Sequence, residues 1–417
     1  MKKFMDFIEL KLAPPLEKLG NQRHLSAIKD GMISVIPLTI IGSFFVLIPN
    51  FPIDAWMKFI EPYAPLFNAV SAITIDIVGI VAAGTVAYYF AKTYKDINLN
   101  SLTCSVISMT AFLLATLNDE WVINASLFGT KGLFTAVVIA LLSTTILHFF
   151  YQRNLVIHFP DSVPPLVSES FMSLVPALAV LLIVWLLRVI LGFDINATLI
   201  KIFEPAVFAL NTLPGFLIFM LIRSLLWCVG IHGGAVLAIA DPIFLVMLGD
   251  NIAAAAAGAP LPYITASGFM YFVFLGGGGA TLPLVFLMMR SKEKGFRSLG
   301  KLCLAPGIFE INEPVVFGVP LVMNPLMIIP YVLATEVLSI ITYGLMYFNL
   351  IARPLVNIPW TMPPVLAQYF LTGGDWRAAI WGVISLFVAG AIYYPFFKIM
   401  EKQRLNIENE KGMIEDE

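Results

Sequence analysis

Gly132-Leu-Phe-Thr-Ala-Val-Val-Ile-Ala-Leu-Leu-Ser-Thr-Thr-Ile-Leu-His-Phe-Phe150 runs nineteen residues without an Asp, Glu, Lys or Arg. About 20 mainly apolar residues span the hydrocarbon core as a helix, because the helix pairs its own backbone groups where no water can. The reading repeats in both directions. Apolar runs at 30–49, 68–91, 101–117, 171–192, 214–240, 265–290, 322–350 and 377–399 suggest further spans. Shorter pieces at 241–257, 303–320 and 355–371 are ambiguous. The expected fold is an all-α polytopic membrane protein with roughly ten transmembrane helices.

Composition agrees. Of 417 residues, 59% are hydrophobic and 12% charged, against about a quarter charged in soluble domains. A net charge of −2 argues against a nucleic-acid partner. Lys2, Lys3, Lys11, Lys18, Arg23 and Lys29 precede the first run, which puts the N-terminus in the cytoplasm by the positive-inside rule. Lys92, Lys95 and Arg153 then fall on the same side, as do the loop Arg290–Lys301 and the tail Lys398–Arg404. No short apolar core with a small-residue cleavage site precedes the first run, so no cleaved signal peptide is indicated. Cys104, Cys228 and Cys303 are scattered through apolar stretches and form no CxxC pair, which makes them core residues.

Gly192-Phe-Asp-Ile-Asn-Ala197 separates clean runs from a second half interrupted by Pro, Gly and charges. A boundary there divides residues 1–195 from 196–417, and Ile202-Phe-Glu-Pro205 resembles the start of an interfacial helix. Irregular backbone at bilayer depth is tolerated where it is buried in protein or lines a cavity. The second half is therefore the place for a binding site.

Trp227-Cys-Val-Gly-Ile-His-Gly-Gly234 places His232 between Gly230 and Gly233, where missing side chains let a ligand approach. A lone apolar-face histidine is ordinarily a core residue, but intramembrane ionisable groups usually mark a pathway. In Gly307-Ile-Phe-Glu-Ile-Asn-Glu-Pro314, Pro314 suits a first helical turn. Asn312 and Glu313 would then stand at that helix start, with the N–H groups of Val315, Val316 and Phe317 facing the cavity. The plain alternative is an interfacial Glu-Pro helix start, as at Glu61-Pro62; Glu310 is balanced between function and structure. Aromatic faces stack on sugar C–H surfaces while carboxylates, amides and imidazoles satisfy hydroxyls. Trp227, His232, Asn312, Glu313 and Trp360 form such a set, although Trp360 also suits an interfacial anchor.

Gly276 to Gly279 lacks the Lys-Ser/Thr ending of a P-loop and reads as close packing or a hairpin tip. Arg223 would pair with a carboxylate or line the cavity edge. Asp76 and Asp241-Pro242 are further candidates for buried charges, evenly divided between structural pairing and function. No metal-ligand cluster, cofactor motif or Ser-His-Asp spacing is evident.

Gly230-Ile-His-Gly-Gly234 combined with Asn312-Glu-Pro314 resembles the IIC membrane subunits of the bacterial phosphoenolpyruvate-dependent phosphotransferase system (PTS), in particular the lactose/cellobiose/diacetylchitobiose family. The resemblance runs almost end to end, from Phe4-Met-Asp-Phe-Ile-Glu-Leu-Lys-Leu-Ala-Pro-Pro15 onward. It implies a homodimer in the bacterial cell membrane, joined through residues 1–195, with 196–417 holding a disaccharide between two re-entrant hairpins. A cytoplasmic IIB protein, itself charged by IIA, would phosphorylate the 6-hydroxyl; both carriers are expected on separate proteins. The family's sugar-binding histidine falls on His232 and its catalytic carboxylate on Glu313, beside Asn312, Gly233, Trp227 and Trp360. The rival class is an ion-coupled secondary transporter, in which Glu313 and His232 would bind protons; a third is a non-transporting sugar sensor.

Overall fold

The computed structural model describes residues 22–49, 54–97, 99–158, 168, 171–228, 234–319, 321 and 324–415. They are helices and loops, with one isolated antiparallel bridge between Leu117 and Ile123. In the first half, α1 (Arg23–Leu47), α2 (Asp54–Ile60), α3 (Ala64–Ala72), α4 (Val78–Thr93), α5 (Ser101–Ala115), α6 (Leu133–Gln152) and α7 (Leu174–Trp185) follow in order. Small residues let α4 sit centrally: Ala82, Ala83, Ala87 and Ala91 are all buried. Polar side chains then tie neighbours across the packed faces. The Thr85 hydroxyl donates to the Gly31 carbonyl (3.0 Å) and Ser108 to the Ala83 carbonyl (2.8 Å), the pattern expected where lipid supplies no hydrophobic drive between helices.

After α7 a π-helical turn, Leu186–Ile190, buries Arg188, whose Nε donates to the Leu117 carbonyl (2.8 Å) and Nη2 to Asp119 (2.9 Å). The chain then bends by 89° into α8 (Ile195–Asn211). This corrects the expected helix start at Ile202. Asp194 caps the helix, its carboxylate accepting from the Ala197 N–H at 2.8 Å, which satisfies a first-turn donor. Pro205 consequently lies inside the helix.

The second half comprises α9 (Leu213–Cys228), α10 (Gly234–Ala256), α11 (Leu282–Met289), α12 (Lys294–Ile308), α13 (Glu313–Gly318), α14 (Pro325–Tyr347), α15 (Leu366–Leu371) and α16 (Trp376–Glu415). Two expected runs are redrawn. The run 214–240 is helical up to Cys228 in α9 and again from Gly234 in α10, which continues beyond the expected end through Asp241-Pro242; residues 229–233 lie outside the described residues. The run 265–290 is not a span: it holds a 3-10 turn, Phe269–Phe272, a glycine turn and the short α11. Pro283 occupies the first turn of α11, where its missing N–H costs nothing.

Among the described residues five helical stretches are long and apolar enough to cross a membrane, six if the bent pair around Gly192 counts as one span. Exposed Leu178 and Leu182 opposite buried Val180 and Val184 give α7 an apolar outer face. Two buried apolar clusters form the interior. One runs from Ala27 to Ile195; the other runs from Phe216 to Met400 and also takes in Phe134. Cys104, Cys228 and Cys303 are buried free thiols within them.

Candidate functional site

The site grows from the glycine turn between the Phe269–Phe272 turn and α11. Gly276 and Gly277 adopt φ of +85° and +92°, a region that residues with a Cβ rarely enter. A Cβ on Gly277 would stand 2.7 Å from the Asn312 side chain, so the glycine also permits close approach. Five of the eight backbone N–H and C=O groups of Gly276–Gly279 are held by side chains from beyond the four glycines. The Glu310 carboxylate accepts from the Gly276 N–H (3.1 Å) and the Gly277 N–H (2.7 Å). Thr281 donates its hydroxyl to the Gly276 carbonyl, and Tyr393 to the Gly279 carbonyl, each at 2.7 Å. The Asn312 amide donates to the Gly278 carbonyl, also at 2.7 Å.

The second contributor is the loop 309–312 between α12 and α13. α12 ends at Ile308 in a tight turn, with the Phe309 and Ile311 N–H groups donating to the Pro306 carbonyl. As expected, Pro314 stands in the first turn of α13, with Asn312 at its N-cap position and Glu313 its first residue. One expectation fails: the N–H groups of Val315 and Val316 both donate to the Asn312 carbonyl at 2.9 Å, so they are not open to a ligand. Glu313 is half-buried.

Arg223 and Trp227 lie one turn apart on α9, and both are buried. The guanidinium lies over the Phe274 ring, 4.0 Å from its centroid. Its Nε and Nη1 have no hydrogen-bond partner among the described residues. A Cβ at Gly278 would lie 3.1 Å from Arg223 Nη1 and 2.8 Å from the Tyr331 hydroxyl. Arg223 and Asn312 are therefore brought to the same glycine turn. Trp360 has a different setting: it is 53% exposed, on a turn closed by the Met362 N–H donating to the Pro359 carbonyl. His232 and Gly233 lie outside the described residues.

Sequence reasoning weighs Glu310 evenly and does not single out Thr281, Tyr331 or Tyr393. The two tyrosines stand inside long apolar runs, and nothing in those runs distinguishes a tyrosine that meets a turn from one that packs. Glu310 does carry a signal: it is a carboxylate in an apolar neighbourhood three residues before Glu313.

A family model for the phosphotransferase system, EIIC, matches residues 29–335. The lichenan permease IIC component of Bacillus subtilis is 37% identical over 100% of this chain and 97% of its own length. A cellobiose-specific PTS EIIC component from Geobacillus stearothermophilus is 38% identical over 97% of this chain and 96% of its own. A lactose-specific EIICB component of Staphylococcus haemolyticus is 32% identical, covering 99% of this chain and 73% of that protein. The crystal structure of ChbC, the IIC component of the N,N'-diacetylchitobiose-specific phosphotransferase system, superposes with a TM-score of 0.92 at 34% identity, covering 97% of this chain and 99% of that one. Matches of this length, reaching from the paired motifs to the whole course of the chain, place the protein in the EIIC family of phosphotransferase-system membrane permeases.

Proposed function

We propose that this chain binds a disaccharide of the cellobiose, chitobiose or lactose class between the glycine turn and the 309–312 loop, and carries it across the membrane coupled to phosphorylation by a IIB protein. The observation that carries this reading is the meeting of two irregular backbone segments, bonded through Asn312 and Glu310, inside the apolar second half. In transporters such broken segments build polar sites at bilayer depth. The sugar class follows the relatives, named for cellobiose, diacetylchitobiose and lactose.

Glu313 accepts a hydrogen bond from the hydroxyl that will be phosphorylated and so serves as the catalytic carboxylate. Asn312, His232 and Arg223 bind other hydroxyls; the two guanidinium nitrogens of Arg223 that have no partner among the described residues support this, since a buried donor without a partner is costly. Trp227 and Trp360 stack on the rings, and Gly233 leaves room beside His232. The chain supplies position and electrostatics, and phosphocysteine on IIB supplies the phosphoryl group. IIB is the partner that phosphorylates the sugar and IIA the one that charges IIB; the lactose-specific relatives are EIICB components, of which this chain covers 73% and 72%.

Residues 1–195 form the dimerising domain and 196–417 the transport domain, a division supported by the two apolar clusters. Roughly ten spans and two re-entrant hairpins, with cytoplasmic termini, complete the topology; the charge pattern supports the orientation.

A mutant cycle tests the Glu313 role. Binding of the normal disaccharide and of its analogue lacking the 6-hydroxyl on the non-reducing ring is compared in wild type and Glu313→Ala. Direct contact predicts a coupling of about 1–3 kcal/mol; additive losses would show that Glu313 acts elsewhere.

A further inference from the structure

Glu310 is buried and forms no ion pair among the described residues, yet it sits at φ +65°. That conformation is costly for any side chain other than Gly and, to a lesser degree, Asn or Asp. The strain is compensated by reach: from this backbone position a side chain of Glu length places one oxygen, Oε2, on two successive N–H groups at 3.1 and 2.7 Å. Two residues on, Asn312 reaches the same turn in the opposite sense, its amide donating to the Gly278 carbonyl. The loop thus holds the turn by its donors through Glu310 and by an acceptor through Asn312. Without Glu310, the Gly276 and Gly277 N–H groups would be left buried without partners, and the turn would be tied to the loop by Asn312 alone.

We propose that Glu310 is a positioning residue for phosphoryl transfer: its carboxylate clamps the glycine turn to the loop bearing Asn312 and Glu313, and so fixes the geometry of the sugar-facing groups. This rests on the reading that the two segments hold the sugar. Glu310 needs no contact with the sugar; it acts through the turn. Only its acceptor oxygen is required, so an amide of the same length serves.

The test measures kcat and KM for phosphorylation of a disaccharide by purified phosphorylated IIB, with thermal unfolding of each variant alongside. Glu310→Gly removes the clamp and also the left-handed backbone cost. A residue that mattered only for local structure would be tolerated as glycine. The clamp predicts a kcat at least about tenfold lower, since small misplacements of reacting groups are that expensive, in a protein that still unfolds cooperatively. Glu310→Gln, which keeps an acceptor oxygen at the same reach, restores most of the rate. If Glu310→Gly does not fold, Glu310→Asn, which tolerates the backbone but is one methylene short, takes its place with the same expectation. A short-side-chain variant with wild-type kcat and KM, or a Gln variant as impaired as the short one, overturns the proposal. Glu313→Ala measured in parallel separates the two readings. Loss at Glu313 with normal Glu310 variants defeats the clamp alone, whereas normal rates in both defeat the sugar site itself.

Discussion

Gly277 shows how much one methyl group can do. Its φ of +92°, and the 2.7 Å that would separate a Cβ at this position from Asn312, mean that Gly277→Ala must strain the turn and displace the amide that holds it. A cost of about 1–3 kcal/mol is expected from the backbone conformation, visible as a lower unfolding midpoint in detergent and as weaker disaccharide binding. His232→Ala is expected to weaken binding by about ten- to a hundredfold, the loss of one hydrogen bond to a neutral ligand, while membrane insertion is unchanged; equilibrium binding on the folded variant decides it. The residues that stand out in the sequence are those set against their surroundings, such as Arg223 in an apolar run and Asn312-Glu313 ahead of a proline, and the structure brings Arg223 and Asn312 to one glycine turn. Tyr393 is not legible, because its bond to the Gly279 carbonyl joins positions more than a hundred residues apart and leaves no local pattern.

At the level of elements, length and hydropathy locate the uninterrupted helices within a few residues: the run 132–150 corresponds to Leu133–Gln152, and 322–350 to Pro325–Tyr347. They fail where apolar composition and irregular backbone coincide. The run 265–290 is as apolar as a span, yet its positive-φ glycines and the side chains that satisfy its backbone make a turn. A further prediction concerns the start of α16. Asp375 accepts from the Ala352 N–H (2.7 Å), the Arg377 N–H (3.0 Å) and the Arg377 guanidinium. Burial pushes its carboxyl up, but the bonds from Arg377 and Ala352 more than offset this and leave it below the usual range. A depressed carboxyl contributes stability above its unfolded-state value and loses it as pH falls through the folded-state value. Asp375→Ala should therefore cost about 1 kcal/mol at neutral pH, as lost helix caps do. The difference from wild type in thermal unfolding should shrink on acidification below the ordinary aspartate range. A constant difference across that range would count against the ionised cap.

Across the whole molecule, the two apolar clusters meet where α1 packs beside α10 and where the Asn357 amide donates to the Thr39 hydroxyl at 2.7 Å. Transport by movement of the second half requires this contact to change. With cysteines at Thr39 and Asn357 joined by a short bifunctional thiol reagent, uptake should fall severalfold and recover on cleavage of the link; undiminished uptake by fully crosslinked protein would exclude such movement. The most direct measurement of the central claim uses proteoliposomes containing the purified chain and an external labelled disaccharide. The account predicts that sugar phosphate accumulates inside only when phosphorylated IIB is enclosed, with or without a proton gradient. Accumulation of unmodified sugar driven by a proton gradient without IIB would contradict it.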